Sequence, residues 1–223
     1  MTCLAFDIDG TIFDCGDIIV EAFERTIAIM IERNPKDIKM PSREEIISTL
    51  GIPTDAIFQK LFPYLETIEQ KQMTDLCTDV LAEMINNGGG YIYENAYPTI
   101  EKFHKEGYRL FAASNGKLEY IEAILHTSGL AGFFIKPIIV LNEIITNKTG
   151  ILKQYKDKIS GHDLFIMIGD RSSDRLAAEE NNLPFIGCSF GHAVNELEGA
   201  EWIADNFKVI YDLVKNIEKQ YTK

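Results

Sequence analysis

The second half of the chain alternates short apolar stretches with amphipathic ones, and this alternation restricts the fold more than any other feature. The apolar stretches are typical of strands, and the segments between them have helical periodicity. Predicted strands cover residues 109–113, 137–141, 164–168, 184–188 and 202–204, and predicted helices cover residues 99–106, 118–127, 150–158, 173–181 and 207–217. Alternating strands and helices form a parallel sheet with helices on both faces. The sequence therefore predicts a Rossmann-like α/β core.

A further strand is predicted at residues 3–6, and two acidic residues stand at its end. The stretch Asp-Ile-Asp-Gly-Thr that follows contains Asp7 and Asp9 and turns at Gly10. Open α/β sheets bind ligands at the carboxyl ends of their strands. A pair of carboxylates there suits a nucleophile beside an acid/base, or the oxygen ligands of a hard cation. Taken alone, the stretch is also compatible with part of a calcium loop or with a hairpin turn.

Residues 16–87 interrupt the alternation with a run of predicted helices. Apolar residues recur there at helical spacing, and residues 42–45 have the sequence of a capping box. Three consecutive glycines at positions 88–90 then end the helical run. We therefore expect an all-helical cap domain at residues 16–87, inserted into a catalytic core formed by residues 1–15 and 88–223.

Two other predicted strands also lead into polar residues. One is followed by Ser114 and Asn115, and another by Asp170, with Asp174 four residues further on. Because parallel strands place their carboxyl ends along one edge of the sheet, these side chains are expected to meet the aspartates of the first strand. The sequence therefore predicts a site that combines carboxylates, a hydroxyl group and an amide.

The charge of the chain argues against two classes of partner. The formal net charge of −12 disfavours binding to nucleic acid or to an anionic membrane surface. The sequence lacks an apolar run of membrane-spanning length and a basic leader before its first strand. The four cysteines form no Cys-x-x-Cys pair and suit reduced thiols. We therefore expect a cytoplasmic protein that binds neither nucleic acid nor membrane, and no feature indicates an oligomeric state.

Together, these motifs resemble those of the haloacid dehalogenase-like hydrolases, in the phosphatase branch that carries a helical cap after its first motif. That motif, Asp-x-Asp-Gly-Thr, matches residues 7–11, and the second, a Ser or Thr after a core strand, matches Ser114. The fourth motif, Gly-Asp-x-x-x-Asp, matches residues 169–174. The third is a lysine upstream of the fourth, and Lys148 has the position that the family leads us to expect. The resemblance extends over essentially the whole chain.

The resemblance implies a catalytic role for each of the acidic residues. Asp7 would attack phosphorus and become an aspartyl-phosphate, and Asp9 would protonate the leaving alcohol and then activate water. Mg²⁺ would lie between the carboxylates of Asp7 and Asp170 and the backbone carbonyl group of Asp9. Asp174 would complete this metal site by orienting a water ligand or the motif lysine.

The resemblance also implies a substrate class. Ser114, Asn115 and Lys148 would hold the phosphoryl oxygens. The implied activity is Mg²⁺-dependent hydrolysis of a small phosphorylated metabolite, a soluble phosphomonoester, and phosphoglycolate phosphatases are the nearest named enzymes.

Other chemistries of the same family are less compatible with the sequence. The dehalogenases lack the second aspartate, which is present here as Asp9. Phosphonatases carry a lysine in the first cap helix, and sugar-phosphate mutases carry a histidine there. In this chain, the first lysine is Lys36 and the first histidine is His104. A phosphotransferase or mutase on the same scaffold and a non-enzymatic phospho-acceptor domain remain alternatives. The histidines match no motif and are expected at the surface or in the core: His104, His126, His162 and His192.

Overall fold

The computed structural model describes residues 1–159 and 163–221, so that His162 lies outside the described part. The strands are β1 (Thr2–Phe6), β2 (Phe13–Asp14), β3 (Tyr91–Ile92), β4 (Arg109–Ala112), β5 (Leu164–Gly169), β6 (Phe185–Cys188) and β7 (Trp202–Ala204). The helices are α1 (Ile18–Arg33), α2 (Arg43–Ile47), α3 (Thr54–Leu61), α4 (Thr67–Asn86), α5 (Ala96–Lys105), α6 (Leu118–Thr127), α7 (Lys148–Lys156), α8 (Ser172–Glu180) and α9 (Phe207–Tyr221), with a 3₁₀ helix at Val194–Leu197.

Five of the strands form one parallel sheet in the order β4-β1-β5-β6-β7. The interior strand β1, between β4 and β5, is buried on both faces, as expected for a parallel sheet covered by helices. Its residues Leu4 and Phe6 belong to one apolar core, and Cys3 and Ala5 belong to a second core. The side chains of neighbouring strand residues point to opposite faces. The predicted Rossmann-like α/β fold is therefore confirmed.

The register of the sheet aligns the carboxyl ends of the three strands that precede the polar motifs. Phe6, the last residue of β1, pairs with Ala112 in β4 and with Ile168 in β5. The ladder continues for one more step, because Asp7 donates its N–H to the Ile168 carbonyl oxygen at 2.9 Å. The residues that follow these strands consequently emerge side by side at one edge.

The strand predicted at residues 137–141 is wrong. These residues form no strand, and the neighbouring Phe134 pairs with Leu110 of the sheet in an isolated bridge. Pro137 has no N–H to donate to a strand ladder. Ile138 and Ile139 are nevertheless buried. The apolar character of this segment reflects packing against the cores rather than pairing in the sheet.

The helices α1 to α4 lie between β2 and β3, within the segment expected to form a cap. Phe23 of α1 stacks on Phe58 of α3 with the ring centroids 5.1 Å apart, and Phe62 stacks beside both rings. The capping box is confirmed, because Ser42 and Glu45 exchange hydrogen bonds between side chain and backbone at the start of α2. The treatment of residues 16–87 as a separate domain stays a prediction.

A short antiparallel ladder joins the two ends of this helical segment. Phe13 pairs with Ile92 and Asp14 pairs with Tyr91, so β2 and β3 lie next to each other. Across the described ranges, no helix combines the length and the apolarity needed to cross a membrane.

Two of the glycines after α4 provide a test of how tightly this ladder is packed. Gly88 and Gly90 both have positive φ, at 89° and 69°. A β-carbon on Gly90 would lie 2.2 Å from the Phe13 ring, whereas one on Gly88 would meet nothing within 4 Å. We expect Gly88→Ala to cost about 1–2 kcal/mol for its backbone conformation alone, and Gly90→Ala to cost roughly 1–3 kcal/mol more because of the clash.

Urea unfolding of both variants and the wild type would measure these free energies of unfolding. Gly88→Ala is the matched control, because it carries the same backbone penalty without the clash. An equal loss of stability in the two variants would contradict the packing of Gly90 against Phe13.

Candidate active site

The turn after β1 brings its two aspartates to the sheet edge. The Ile8 carbonyl oxygen accepts N–H groups from residues 11, 12 and 13 at 2.9–3.2 Å, which folds the chain back sharply after the strand. Gly10 lies in this turn with a φ of 76°. A β-carbon on Gly10 would lie 2.3 Å from the Asp170 carboxylate, so only glycine lets the turn approach the end of β5 this closely.

Three carboxylates meet at this edge. Asp7, Asp170 and Asp174 each offer an oxygen, and these oxygens lie within 4.8 Å of one another. All three side chains are buried. Burial, together with the charges of Asp7 and Asp174, raises the pKa of Asp170 to about 8. Burial also raises the pKa of Asp174, against the opposing effect of a neighbouring ammonium group.

That ammonium group belongs to Lys148 at the start of α7. Its Nζ lies 2.8 Å from Asp7 Oδ1 and also pairs with Asp174. Burial by itself would lower the pKa of Lys148, but the two carboxylates outweigh it and raise this pKa. Asn147 caps the helix by accepting the N–H of Gly150. The structure thus brings the lysine chosen from the sequence into the acidic cluster.

The cluster fits a hard divalent cation. Asp7 Oδ2 and Asp170 Oδ1 are buried and have no hydrogen-bond partner among the described residues. Buried polar atoms without partners are costly, and a cation bound by oxygen atoms would satisfy both. With one ammonium group facing three carboxylates, an ion would also reduce the excess of buried negative charge.

The carboxyl group of Asp9 points away from this cluster. Its Oδ1 accepts hydrogen bonds from the Tyr120 hydroxyl group and from the Cys15 thiol, whose sulfur lies at 3.4 Å. Burial raises the pKa of Asp9 to about 6, although the bond from Tyr120 opposes this shift. The Asp9 side chain therefore lies outside the cluster, unlike those of the other predicted metal-site residues. Asp9 could bind a metal ion only through its backbone carbonyl group.

Ser114 and Asn115 follow β4 and are both buried. Ser114 Oγ accepts the N–H of Gly116 at 3.0 Å. The Asn115 side chain donates from Nδ2 to the Gly51 carbonyl oxygen at 2.9 Å, which links the sheet edge to the loop between α2 and α3. Both residues thus lie at the same edge as the aspartates, as predicted from the strand ends.

A cavity of about 60 Å³ lies between this edge and the helical segment. Asp7, Asp9, Ser114 and Asn115 form part of its wall. The remaining wall is formed by Cys15, Ile19, Leu50, Gly51, Ile52, Thr54, Thr78, Leu81, Gly116, Lys117 and Tyr120. A molecule in this cavity would contact the predicted catalytic aspartates on one side and mostly apolar or hydroxyl-bearing side chains on the other.

Sequence reasoning missed three residues of this site. Tyr120 contacts Asp9, and the backbone N–H of His192 donates to Asp170 Oδ2 at 2.8 Å. Arg171 is buried with its guanidinium group against Gly51, and its Nη1 lies 3.3 Å from Glu196. Only Arg171 stands within a recognised motif, at a position where the motif accepts any residue. His192, expected at the surface or in the core, has a pKa lowered by burial.

Comparison with known proteins places these observations in a family context. Residues 4–188 match the family model described as haloacid dehalogenase-like hydrolase. The chain is 24% identical over 221 residues to a probable phosphatase, IndB, of Dickeya dadantii, covering 92% of this chain and 90% of that protein. It is 21% identical over 227 residues to a phosphoglycolate phosphatase of Vibrio parahaemolyticus, covering 95% of each. The crystal structure of a predicted phosphatase from Clostridium acetobutylicum matches with a TM-score of 0.79 and 22% identity, covering 96% of this chain and 98% of that one.

The excess of buried negative charge leads to a prediction about stability. Without divalent cations, Asp170→Asn should melt at least as high as the wild type, because asparagine cannot ionise, whereas burial and two neighbouring carboxylates oppose the ionisation of Asp170. With added Mg²⁺, the melting temperature of the wild type should rise, since an ion that binds only the folded protein stabilises it. The variant should show little or no rise.

Thermal unfolding with and without Mg²⁺ would measure both effects. Asp79→Asn is the control, because it removes one carboxylate from an exposed position of α4. A rise in melting temperature of the same size in Asp170→Asn and in the wild type would contradict the assignment of Asp170 to a cation site.

Proposed function

Because the chain belongs to the haloacid dehalogenase-like hydrolases, we propose that it is a Mg²⁺-dependent phosphatase that acts through an aspartyl-phosphate intermediate. It is an enzyme of the phosphatase branch of that family, which hydrolyses phosphate esters. The observation that carries the proposal is the buried cluster of Asp7, Asp170 and Asp174 with Lys148, which adjoins a cavity lined by Asp7 and Asp9.

Asp7 is the proposed nucleophile. Its contact with Lys148 at 2.8 Å holds the carboxylate at the cavity wall. In the first step, an oxygen of Asp7 forms a bond to phosphorus while the bond to the leaving oxygen breaks, and Asp9 gives that oxygen a proton. In the second step, Asp9 takes a proton from water, the water oxygen bonds to phosphorus, and the bond to Asp7 breaks. Inorganic phosphate leaves and both aspartates return to their initial states.

The proposed Mg²⁺ ligands are the carboxylates of Asp7 and Asp170 and the backbone carbonyl group of Asp9. When bound, the ion would neutralise negative charge and orient the phosphoryl group. Asp174 contacts Lys148 and so holds the ammonium group beside Asp7. The proposed ligands of the phosphoryl oxygens are Ser114, Asn115 and Lys148. Negatively charged oxygens bind well to hydrogen-bond donors and to a cationic side chain.

We further propose that residues 16–87 act as a cap over a core of residues 1–15 and 88–223. Contacts across the cavity support this division. The Gly51 carbonyl oxygen accepts a hydrogen bond from Asn115, and Lys117 pairs with Asp55 and Asp75 in the helical segment. A segment held in this way excludes water from the phosphoryl group during the reaction.

The lining of the cavity narrows the proposed substrate class. A volume of about 60 Å³ has room for roughly four to six water molecules, so the leaving group is short. Lys117 is the one cation among the described lining residues, and the carboxylates of Asp55 and Asp75 already neutralise it. A second anion on the substrate would have to compete with both of these carboxylates for Lys117. The proposed substrate is therefore a small, soluble, cytoplasmic phosphomonoester whose leaving alcohol is uncharged.

Phosphoglycolate is the second candidate substrate. Similarity to a phosphoglycolate phosphatase over 95% of the chain favours it, although the identity is only 21%. Phosphoglycolate carries a carboxylate next to the carbon that bears the phosphate group. A comparison with an uncharged analogue of the same length therefore separates the two candidates.

The proposed phosphatase activity is tested by measuring phosphate release from a panel of phosphomonoesters. With Mg²⁺, the wild type should release one phosphate for each ester consumed, chelation should abolish this release, and renewed Mg²⁺ should restore it. Asp7→Asn should lower kcat by roughly 10³-fold or more, because an amide is not a nucleophile. Its circular dichroism should match that of the wild type.

Asp79→Asn serves again as the control and should keep the wild-type rate. Full activity of Asp7→Asn would contradict the role of Asp7. A requirement for a bisphosphate primer, without stoichiometric phosphate release, would instead indicate a phosphotransferase or mutase on the same scaffold.

The substrate class is tested with 2-hydroxyethyl phosphate and 2-phosphoglycolate, which differ in a hydroxymethyl group against a carboxylate. We expect kcat/KM to be about tenfold or more higher for 2-hydroxyethyl phosphate, which corresponds to about 1.4 kcal/mol of unfavourable electrostatic energy for the carboxylate. Asp75→Asn should shift the preference towards phosphoglycolate, because it releases part of the charge of Lys117.

Asp79→Asn is the matched control for Asp75→Asn, since it lies one turn further along α4. It should leave the preference between the two esters unchanged. A wild-type preference for phosphoglycolate that Asp75→Asn does not alter would refute the uncharged leaving group while leaving the phosphatase activity intact.

A further inference from the structure

We propose that Tyr120 is a positioning residue that determines which oxygen of Asp9 transfers the proton. This inference rests on the proposed phosphatase activity, in which Asp9 acts first as an acid and then as a base. No motif of the sequence marks Tyr120, which lies in the first turn of α6, on a different element from Asp9. Its side chain is buried and reaches the cavity wall beside Asp9.

Two donors converge on one oxygen of Asp9. The Tyr120 hydroxyl group and the Cys15 thiol both donate to Oδ1. The other oxygen, Oδ2, has no hydrogen bond to any residue that the structure describes, and it is not among the fully enclosed polar atoms. A protonated Oδ1 would have to donate to the Cys15 sulfur, which is a weak acceptor, or turn the Tyr120 hydroxyl group from donor into acceptor, whereas a proton on Oδ2 leaves both hydrogen bonds to Oδ1 in place. The proton of the acid therefore belongs on Oδ2.

The two oxygens of Asp9 thus have different roles: Oδ2 transfers the proton, and Oδ1 accepts the stabilising hydrogen bonds. When the bond between phosphorus and the leaving oxygen breaks, its electron pair stays on that oxygen, which receives the proton of Oδ2. The negative charge that appears on Asp9 is shared with Oδ1, where Tyr120 and Cys15 stabilise it. In the second step, Oδ2 takes a proton from the attacking water. Tyr120 keeps its own proton throughout and acts only through Asp9.

The inference predicts a loss that depends on the leaving group. An alkoxide is strongly basic and needs a correctly placed proton, whereas a nitrophenolate needs little help. Tyr120→Phe keeps the ring and removes the hydroxyl group, so Asp9 can rotate or carry its proton on Oδ1. Formation of phospho-Asp7 should slow about tenfold with an alkyl phosphate and by less than about twofold with 4-nitrophenyl phosphate. Breakdown of phospho-Asp7 should slow equally after both donors, with little change in KM.

Rapid-quench kinetics of the full-length protein with Mg²⁺ would measure the two steps separately. Tyr108→Phe is the matched control, because it removes the hydroxyl group of another buried tyrosine, which is hydrogen-bonded to Glu218. It should leave both steps unchanged. A Tyr120→Phe variant that is slowed equally with both donors, or with neither, overturns the inference. Absence of phosphate release from the wild type and from Tyr108→Phe alike overturns the proposed function itself.

Cys15 provides a second test that does not depend on the folding of Tyr120→Phe. Cys15→Ala removes the weaker donor and should show the same dependence on the leaving group, with a smaller loss. Cys15→Ser restores a hydroxyl donor and should return the rate with the alkyl phosphate towards that of the wild type. If Cys15→Ala and Cys15→Ser both behave as the wild type with both donors, the convergence of donors on Oδ1 has no role in proton transfer.

Discussion

The site is dominated by the electrostatic repulsion among three buried carboxylates that share one ammonium group. At an effective dielectric constant of about 20, two such charges separated by the 4.8 Å limit repel each other by about 3–4 kcal/mol. Lys148 offsets part of this repulsion through its contacts with Asp7 and Asp174, which leaves Asp170 as the least compensated group. Burial, together with the charges of Asp7 and Asp174, accounts for the rise in the pKa of Asp170 to about 8. The protein thus folds around a buried acidic cluster that could hold a cation.

The rest of the fold makes this cluster possible. Asp7 and Asp170 come together because β1 and β5 pair in parallel with their ends level. The apolar cores on both faces of the sheet fix that register, since a slip of one residue would exchange the two faces of each strand. The apolar cores therefore have two effects on the carboxylates. They bury them, which strengthens their mutual repulsion, and they fix their positions.

The sequence allowed prediction of those parts of the site that depend on strand ends. Asp7, Ser114 and Asp170 each follow a strand, and parallel pairing is enough to bring them to one edge. The choice of Lys148 needed the family resemblance as well, because a lysine before a helix has no distinctive pattern. The strand expected at residues 137–141 failed for a related reason. Burial produces the same apolar pattern whether or not a segment pairs, and Pro137 lacks the N–H group that a strand ladder needs.

Tyr120, Arg171 and His192 could not be predicted because their positions depend on tertiary packing. Tyr120 reaches Asp9 from a helix, and His192 reaches Asp170 from a loop more than twenty residues further along the chain. A single polar residue in a helix or a loop looks the same in the sequence whether it faces solvent or a buried carboxylate. Only the packing of α6 and of the loop after β6 against the sheet edge distinguishes these cases.

The small ladder between β2 and β3 has a consequence for how such a protein can diverge. It holds Asp14 next to Tyr91, so the chain leaves the sheet edge and returns to it at nearly the same point. The entropy of closing a loop grows only slowly with its length once its ends are held together. A segment of different size or shape could therefore replace the helices at this point without disturbing the register of β1. In this architecture, the helices that line one side of the cavity are free to change while the acidic cluster at the sheet edge stays the same.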